Sequence, residues 1–311
     1  MSKRIVVTGG CGFLGGHLVD KLIELGHSVT VIDNEWTGKY KNPKATYLKE
    51  DVCEFSGIVY EPEETDVYEE SDVIFHLAAF ARVRPSFDRP DYYLDNNINS
   101  TRTLLSILHN MKYKGKVIYI SSSSVYGGVN YRVNSSSSEY DNLHPDSPYA
   151  ISKMISEEIC NMYRKLFNLD IITVRPFSIY GERMAKGTHG TVIQRFLDYY
   201  RKEGKLYING DGSIRRDFTH VSDVVDGLIM LMNSDTDIAE TTFNIGTGFP
   251  YSINEIADCF PCEKVYSKNK YVEDDITRAN TYRLATLGWK PKYNVIEWLK
   301  EKIYGVETVS I

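Results

Sequence analysis

Tyr149 and Lys153 lie four residues apart in the segment SPYAISKM, and their side chains could do acid–base chemistry together. Ser147-Pro148 is a typical helix start, and residues four apart on a helix share one face. A phenol titrates at about 10, so it is a useful base at neutral pH only when positive charge stabilises its phenolate. Lys153 can supply that charge. The spacing alone is also typical of a surface helix, so the rest of the chain has to distinguish the two interpretations.

Glycines at positions 9, 12 and 15 recur in VVTGGCGFLGGHL, between a predicted strand and a predicted helix. A tight turn at this place lets the backbone approach a pyrophosphate, and the helix N-terminus offers unpaired N–H groups. Glycines at this spacing can also serve close packing alone. Asp33, which ends the next predicted strand, favours the first interpretation, because a carboxylate there binds ribose hydroxyls and repels a 2'-phosphate. The following residue is Asn34 and not Arg, so the sequence predicts NAD as cofactor and not NADP.

Two runs of four serines follow each other, and composition does not separate them. The first lies in YISSSSVYGG, from Tyr119 to Gly128, directly after an apolar stretch. The second, at 135–138, lies in NSSSSEY without apolar periodicity, so we predict that it is an exposed loop. Whether the first run is a site stays open at this point.

The elements that would position these residues follow an α/β pattern. Short β-branched runs alternate with helical patterns in the first half, which predicts a parallel sheet wrapped by helices. The predicted strands are 4–7, 28–33, 45–48, 73–78, 117–121 and 169–174, and Gly26 closes the helix between the first two. After Arg175-Pro176 the pattern becomes irregular, with helical segments at 191–202 and 222–232, so a smaller second lobe is predicted.

Composition excludes several classes of protein. The 311 residues carry a net charge of -6 with both signs interspersed, which gives no basic stripe for nucleic acid. No apolar run approaches the roughly 20 residues that cross a membrane, and the first residues lack a signal-peptide core. Five cysteines fit a reducing compartment. The sequence therefore predicts a soluble, cytoplasmic protein without nucleic-acid or membrane partners.

Cys259 and Cys262 have the two-residue gap of redox and zinc sites. No second pair or neighbouring His completes a set of four ligands. The preceding SINEIADC has the pattern of a short amphipathic helix, so we predict that the pair marks a helix end and that the protein holds no metal.

Five motifs, in order along the chain, resemble the extended short-chain dehydrogenase/reductases: TGGCGFLGGHL, HLAAF, SSSSVYG, PYAISK and LGWKP. More narrowly, they resemble the nucleotide-sugar epimerases and dehydratases of the UDP-glucose 4-epimerase type, over nearly the whole chain. The resemblance implies an α/β fold, a Rossmann-type doubly wound parallel sheet with a smaller C-terminal substrate-binding lobe. Residues 1–174 would bind NAD, about 218–247 would return to that domain, and 175–311 would mainly bind the nucleotide sugar. It also implies a homodimer through the helices at 92–109 and 148–166.

The resemblance also assigns individual residues. The family's active serine or threonine lies three residues before the Val of VYG and hydrogen-bonds the sugar hydroxyl, so Ser122 joins Tyr149 and Lys153 as a catalytic residue. The implied NAD-binding residues are Gly9, Gly12, Phe13, Leu14, Gly15, Asp33, Asn34, Asp51, Val52, Leu77, Ala78, Ala79, Asn97, Tyr149 and Lys153. The implied substrate-binding residues are Ser122, Ser123, Ser178, Arg216 and Arg278. Three of these assignments have alternatives. Asp51 could cap a turn or lie on the surface, Asn97 could make a structural contact, and either arginine could be a surface charge.

Departures from the family pattern narrow the expected reaction. Ser178 stands in RPFSIYG where the family often has Asn, which leaves the sugar class open. Ser123 and Ser124 stand where the 4,6-dehydratases have Asp and Glu, and the related decarboxylases also keep a Glu there. Without those acids the expected chemistry is removal and return of a hydride. The sequence therefore predicts an NAD-dependent epimerase of a nucleoside-diphosphate sugar, at C4 through a transient 4-keto sugar.

The alternatives within the family are a 4,6-dehydratase that draws its acid from elsewhere, and a 4-keto reductase or dehydrogenase with net redox change. A remote alternative from another class is a non-catalytic NAD-binding sensor. Such proteins tend to lose the Tyr or the Lys, whereas this chain has both.

Overall fold

A computed structural model of the chain describes residues 2–54, 67–127, 136–187, 190–234, 241–268 and 276–305. The chain divides into two compact units. Unit 1 comprises Met1–Val125, Pro145–Arg175 and Val225–Phe243, and unit 2 comprises Tyr126–His144, Pro176–Val224 and Asn244–Ile311. The sequence assigns NAD binding to the first predicted lobe and nucleotide-sugar binding to the second, and this assignment stays a prediction.

A seven-stranded sheet forms the centre of unit 1. Its strands are β1 (Arg4–Thr8), β2 (Ser28–Ile32), β3 (Thr46–Leu48), β4 (Val73–His76), β5 (Lys116–Ile120), β6 (Asp170–Pro176) and β11 (Thr242–Ile245). They lie in the order β11-β6-β5-β4-β1-β2-β3, and the pairs from β3 to β6 are parallel. Every residue of β4 and β5 is buried, because helices cover both faces of such a sheet. This is the predicted doubly wound α/β fold, and the fold prediction is confirmed.

Among the described residues, the helices between β1 and β6 are α1 (Phe13–Glu24), α2 (Val83–Asp88), α3 (Pro90–Asn110) and α4 (Pro148–Phe167). A short 3-10 turn, Ser123–Tyr126, follows β5. Helix α4 begins as the sequence predicts, because the Ser147 side chain accepts a hydrogen bond from the N–H of Ala150 and Pro148 occupies the first turn. It ends at Asn168, which has the left-handed backbone of a helix C-terminus.

Unit 2 contains short strands paired two by two. They are β7 (Ile179–Tyr180), β8 (Lys205–Asn209), β9 (Arg215–Arg216), β10 (Thr219–His220), β12 (Tyr251–Ser252) and β13 (Glu263–Ser267). Strand β7 pairs with β10, β8 with β13, and β9 with β12. The remaining described helices are α5 (Val192–Glu203), α6 (Val221–Asn233), α7 (Ile253–Ala257), α8 (Tyr282–Thr286) and α9 (Val295–Tyr304). Residues of α6 from Val225 onward belong to unit 1.

The second serine run differs from its prediction. Part of the run, position 135, lies outside the described residues, but Ser137 is buried and forms a β-bridge with Ala279. Its N–H donates to the carbonyl of Arg278, and its carbonyl accepts from the N–H of Asn280. The prediction of an exposed loop is wrong at this residue. A pairing partner more than a hundred residues away leaves no local signal in the sequence.

Cys259 follows the end of α7, which starts with a capping box between Ser252 and Glu255. Both Cys259 and Cys262 are free thiols. Among the described residues, no group of three or more His, Cys, Asp or Glu side chains could hold a metal ion. No helix in the same part of the chain has the length and hydropathy needed to cross a membrane.

Candidate active site

The glycine loop between β1 and α1 is packed so closely that side chains are excluded. Gly9 has a φ of 72°, and a Cβ there would lie 2.7 Å from the backbone nitrogen of Ala78. A Cβ on Gly15 would lie 2.3 Å from the carbonyl oxygen of Gly9. Gly12 is the N-cap of α1, and no side chain caps the N–H groups of this helix start. Phe13 and Leu14 form the first turn, so their amides belong to the uncapped, electropositive end of the helix.

Asp33 holds the turn beside this loop. Its carboxylate accepts hydrogen bonds from the N–H of Cys11, at 2.9 Å, and of Glu35, at 2.7 Å. Burial raises the pKa of Asp33, and the two backbone donors lower it. A carboxylate has about four acceptor sites, so two backbone donors leave capacity for ribose hydroxyls.

Asn34 and Asp51 are linked, since the Asn34 amide donates to the Asp51 carboxylate at 2.8 Å. The other oxygen of Asp51 accepts from the N–H of Cys53, so the turn-capping alternative for Asp51 is present in the structure. Val52, between Asp51 and Cys53 in the chain, is buried. These contacts hold the Asp51 side chain next to the residue that follows Asp33.

The carboxyl ends of β1 and β4 lie against each other. The N–H of Leu77 donates to the carbonyl of Thr8, and the N–H of Ala78 donates to the Thr8 hydroxyl. His76 lies between the hydroxyls of Thr8 and Thr101. Burial lowers the pKa of His76 to about 3, so the imidazole is neutral at physiological pH. The small residues Ala78 and Ala79 thus follow a rigid strand end.

Asn97 of α3 makes the structural contact that was its alternative role. Its side-chain oxygen accepts from the N–H of Phe80 at 2.7 Å, and its amide donates to the Phe80 carbonyl at 3.1 Å and to the Ser152 hydroxyl at 2.9 Å. These hydrogen bonds fix the backbone after Ala79 and link α3 to α4. Direct contact of Asn97 with the cofactor stays a prediction.

Ser122 and Tyr149 form a buried hydroxyl pair. Each is 9% exposed, and Ser122 is among the groups that lower the pKa of Tyr149. The Ser122 oxygen also accepts from the N–H of Ser124 and lies 3.1 Å from its hydroxyl. Burial raises the pKa of Tyr149, whereas the hydrogen bond with Ser122 and the positive charge of Arg82 lower it. The two hydroxyls can therefore orient a hydroxyl or carbonyl oxygen of a bound molecule.

Lys153 is 4% exposed, one turn after Tyr149. Its ammonium donates to the carbonyl of Ile120 at 2.8 Å and lies 5.0 Å from the centre of the Tyr119 ring. Burial lowers the pKa of Lys153 to about 8. A buried cation with two remaining N–H donors is suited to bind oxygen ligands such as ribose hydroxyls.

These residues fit a dinucleotide. A pyrophosphate needs close backbone approach and unpaired N–H groups, which the excluded Cβ positions at Gly9 and Gly15 and the uncapped start of α1 provide. Asp33 and Lys153 provide an acceptor and a donor for ribose hydroxyls.

Sequence reasoning missed two residues of this cluster. Ser124 contacts Ser122 through both its N–H and its hydroxyl. Arg82 is the second, because its positive charge lowers the pKa of Tyr149. A basic residue three positions after HLAA was visible in the sequence, but nothing local linked it to position 149.

The predicted substrate residues Ser178, Arg216 and Arg278 belong to unit 2. Ser178 is half-buried, and its carbonyl accepts from the N–H of Thr219. Arg216 lies in β9, and its guanidinium donates to the carbonyl of Arg215. Arg278 is exposed and donates to the carbonyl of Gly248.

Asp217 connects the segments of the two arginines. It is 0% exposed and follows Arg216 in the chain. Its carboxylate accepts from the N–H groups of Thr247, Gly248 and Ala279 and from the Thr247 hydroxyl. Because Ala279 follows Arg278, one buried carboxylate fixes the backbone beside both arginines. Sequence reasoning did not single out Asp217.

Comparison with known proteins agrees with this geometry. Residues 5–246 match the NAD dependent epimerase/dehydratase family. A protein of Methanocaldococcus jannaschii with the provisional name UDP-glucose 4-epimerase is 34% identical over 309 residues, which cover 96% of this chain and 97% of the relative. The UDP-N-acetyl-alpha-D-glucosaminuronate decarboxylase of Bacillus cytotoxicus is 34% identical over 262 residues, with coverages of 83% and 79%.

Among solved structures, the chain is similar to the UDP-N-acetylglucosamine 4-epimerase of Methanobrevibacter ruminantium in complex with UDP-N-acetylmuramic acid. The TM-score is 0.86 and the identity is 30%, with 97% of each chain covered.

Proposed function

Because the chain belongs to the NAD dependent epimerase/dehydratase family, we propose that it is an NAD-dependent epimerase that inverts C4 of a nucleoside-diphosphate sugar. The observation that carries this proposal is the buried cluster of Ser122, Tyr149 and Lys153. The two residues after Ser122 in the chain are serines and not acids. The chain is an NAD-dependent enzyme of a family whose members epimerise, decarboxylate or dehydrate nucleotide sugars.

Tyr149 is the proposed base. As a phenolate it accepts the proton of the C4 hydroxyl, and as a phenol it returns that proton when the hydroxyl is restored. NAD, when bound, supplies the acceptor of the C4 hydride and its donor on return. The hydrogen bond with Ser122 and the nearby positive charge support this role, because both oppose the effect of burial on the pKa of Tyr149.

Ser122 and Lys153 support the base in different ways. The Ser122 hydroxyl orients the sugar hydroxyl and stabilises the oxygen of the 4-keto sugar. Lys153 holds the ribose of NAD and contributes positive charge near the phenolate. Its hydrogen bond with Ile120 fixes the ammonium on the Tyr149 face of α4, so this orientation does not depend on the ligand.

Inversion requires the 4-keto sugar to present its opposite face before the hydride returns. The proton stays on Tyr149 during this rotation about the diphosphate link, and no other acid takes part. Arg216 and Arg278 are the proposed partners of the diphosphate, since a guanidinium binds phosphate oxygens through two parallel N–H groups. Ser178 is the proposed sugar contact.

A second candidate function is decarboxylation of a nucleoside-diphosphate uronate, because one of the similar relatives is named a decarboxylase. The same base could oxidise C4 in that reaction. The serines at 123 and 124 argue against decarboxylation, since the related decarboxylases keep a Glu there.

The identity of the reaction can be tested on the purified protein. Mass spectrometry of the nucleotide released on denaturation should give NAD, and UDP-, GDP-, CDP- and dTDP-sugars, hexoses and uronates included, are then supplied one at a time. We expect one of them to reach an equilibrium mixture of two C4 epimers, without net NADH and without loss of CO₂. Release of CO₂, or a 4-keto-6-deoxy product with solvent deuterium at C5, would assign the decarboxylase or the dehydratase instead.

The role of Tyr149 is tested by Tyr149→Phe, which keeps the ring and removes the proton acceptor. Turnover should fall by about 10²-fold or more, whereas NAD and the nucleotide sugar should still bind. The control is Tyr92→Phe, since Tyr92 is partly exposed on α3 and stacks on Phe80. Unchanged turnover of Tyr149→Phe would remove Tyr149 from the mechanism.

A further inference from the structure

The segment at 34–42, which we call the strap, lies against the carboxyl edge of the sheet in unit 1. It follows β2 and contacts the glycine loop, which follows β1. A Cβ on Gly38 would lie 2.1 Å from the carbonyl oxygen of Cys11 and 2.5 Å from the nitrogen of Gly12. The N–H of Tyr40 donates to the same carbonyl at 3.3 Å. The strap is therefore packed directly on the glycine loop, and the missing side chain of Gly38 permits this contact.

Aromatic rings tie one part of the strap to the chain that follows β4. The ring of Trp36 lies 6.0 Å from the rings of Phe80 and Tyr92, which stack on each other at 4.8 Å. Asn97 of α3 hydrogen-bonds both the N–H and the carbonyl of Phe80, so this anchor is itself fixed. In the sheet, β1 lies between β2 and β4. The strap therefore spans from the β2 side to the β4 side, across the place where the strand order reverses and where such sheets bind dinucleotides.

The other part of the strap is tied to α1 by Asp20. The Tyr40 hydroxyl lies 3.0 Å from each oxygen of this carboxylate, and the Asn42 amide donates to it at 2.7 Å. Hydrogen bonds to a charged acceptor are the stronger kind. An ion pair of 2.7 Å between Lys41 and Glu35 joins the two ends of the strap, but it is solvent-exposed and contributes little. All these contacts are made within the chain, so they resist opening of the strap in either direction of ligand movement.

We propose that the strap is a lid over the dinucleotide crevice and that it sets the rate at which NAD enters and leaves. The glycine loop lies beneath the strap and Asp33 directly precedes it, so a dinucleotide held by both has to pass the strap. An enzyme that returns a hydride to the sugar it came from needs a cofactor that stays bound through the cycle, and a closed lid provides this. The inference rests on NAD binding, which the family shows, and not on the sugar reaction that the enzyme performs.

The first test measures cofactor exchange. Holoenzyme that carries radiolabelled NAD is chased with excess unlabelled NAD, and the retained label is followed over time. Asp20→Ala removes both ties to α1, and Gly38→Ala places a methyl group where the Cys11 carbonyl lies. Each should speed release by about tenfold, which corresponds to about 1.4 kcal/mol, within the range for a lost hydrogen bond to a charged group. Glu24→Ala is the matched control, because Glu24 is an exposed acid of the same helix that pairs with Lys21, and it should exchange as wild type does.

The affinity for NAD distinguishes a lid from a mere contact surface. A lid obstructs entry as much as exit, so equilibrium dialysis of the same holoenzymes should show a Kd changed by less than about threefold. Faster release with an equal loss of affinity would mean that the strap only contacts the cofactor, and it would overturn the proposal. Unchanged release in both variants would overturn it as well.

Tryptic cleavage measures opening of the strap without reference to NAD release. Lys39 and Lys41 are exposed cleavage sites in the strap, and a protease needs several residues of opened chain around the site it cuts. In holoenzyme, cleavage after these two lysines should be about tenfold faster in Asp20→Ala than in wild type, as followed by mass spectrometry of the peptides. If Asp20→Ala does not fold, Tyr40→Phe, which keeps the ring and loses one tie, should show a smaller rise in both cleavage and NAD release. Equal cleavage in wild type and variant would mean that Asp20 does not hold the strap closed, which refutes the proposal.

Discussion

The buried ammonium of Lys153 should make the stability of NAD-free protein depend on pH. Burial lowers its pKa from the ordinary 10.5 to about 8. Between these values the unfolded chain binds more protons than the folded one, so the free energy of unfolding rises with pH across this window. Below about pH 8 the full penalty is present, and above about pH 10.5 it is gone. The difference between 10.5 and about 8 corresponds to about 3 kcal/mol.

Lys153→Met removes this penalty and keeps an unbranched side chain of similar length. It also leaves the carbonyl of Ile120 without its donor, which costs about 1–3 kcal/mol for a buried group. At neutral pH the variant should therefore be as stable as wild type or up to about 2 kcal/mol more stable, although it loses activity. Near pH 10.5 only the lost hydrogen bond remains, and the variant should be the less stable of the two.

The assay is urea unfolding of NAD-free wild type and variant at several pH values from about 7 to about 10. Groups that both proteins share, such as the buried tyrosines, cancel in the difference between the two free energies. Lys165→Met is the control, because Lys165 is exposed on the same helix. A difference between Lys153→Met and wild type that stays constant over this pH range would refute the reasoning.

Three further outcomes are expected. Ser122→Ala should lower turnover by about 10²-fold or more, because it removes the hydroxyl next to Tyr149. Replacing all of 135–138 with alanine should change turnover little. A larger loss from this second serine run would show that the motif register is wrong. Wild type should bind NAD more than about tenfold tighter than NADP in calorimetry, and equal affinities would contradict the role of Asp33. We propose a homodimer through α3 and α4, where Met162, Leu166 and Phe167 are exposed, so Leu166→Glu should yield monomers in sedimentation; a monomeric wild type would refute this.

The parts of the fold and site that sequence predicted are those with a local signal. The strand runs and the glycine loop follow from residue type and from spacing over a few positions, and the predicted strands end within two residues of the observed ones. Tyr149 and Lys153 have a helical spacing that is also typical of a surface helix, so their assignment needed the glycine loop earlier in the chain as well. Both side chains are buried on α4, whose start is capped by Ser147.

The parts that sequence did not predict depend on contacts between distant segments. Arg82 lowers the pKa of Tyr149 from a distant position in the chain, and nothing in the local sequence signals that link. Ser137 is buried by pairing with Ala279, so a polar local sequence was misleading. The structural contacts of Asn97 were weighed from the sequence only as an alternative, because a buried amide has the same sequence signal in either role.

The Asp217 carboxylate has a consequence for attempts to redesign the enzyme. Its hydrogen bonds join the loop at Thr247 and Gly248 to the backbone at Ala279, and it directly follows Arg216. Segments grafted singly from a relative would have to preserve the same donors to the same two oxygens, or leave a buried negative charge unsatisfied. Libraries that aim at new nucleotide sugars should therefore exchange 215–217, 246–249 and 277–280 as one block, and the inheritance of these segments in natural relatives should show the same linkage.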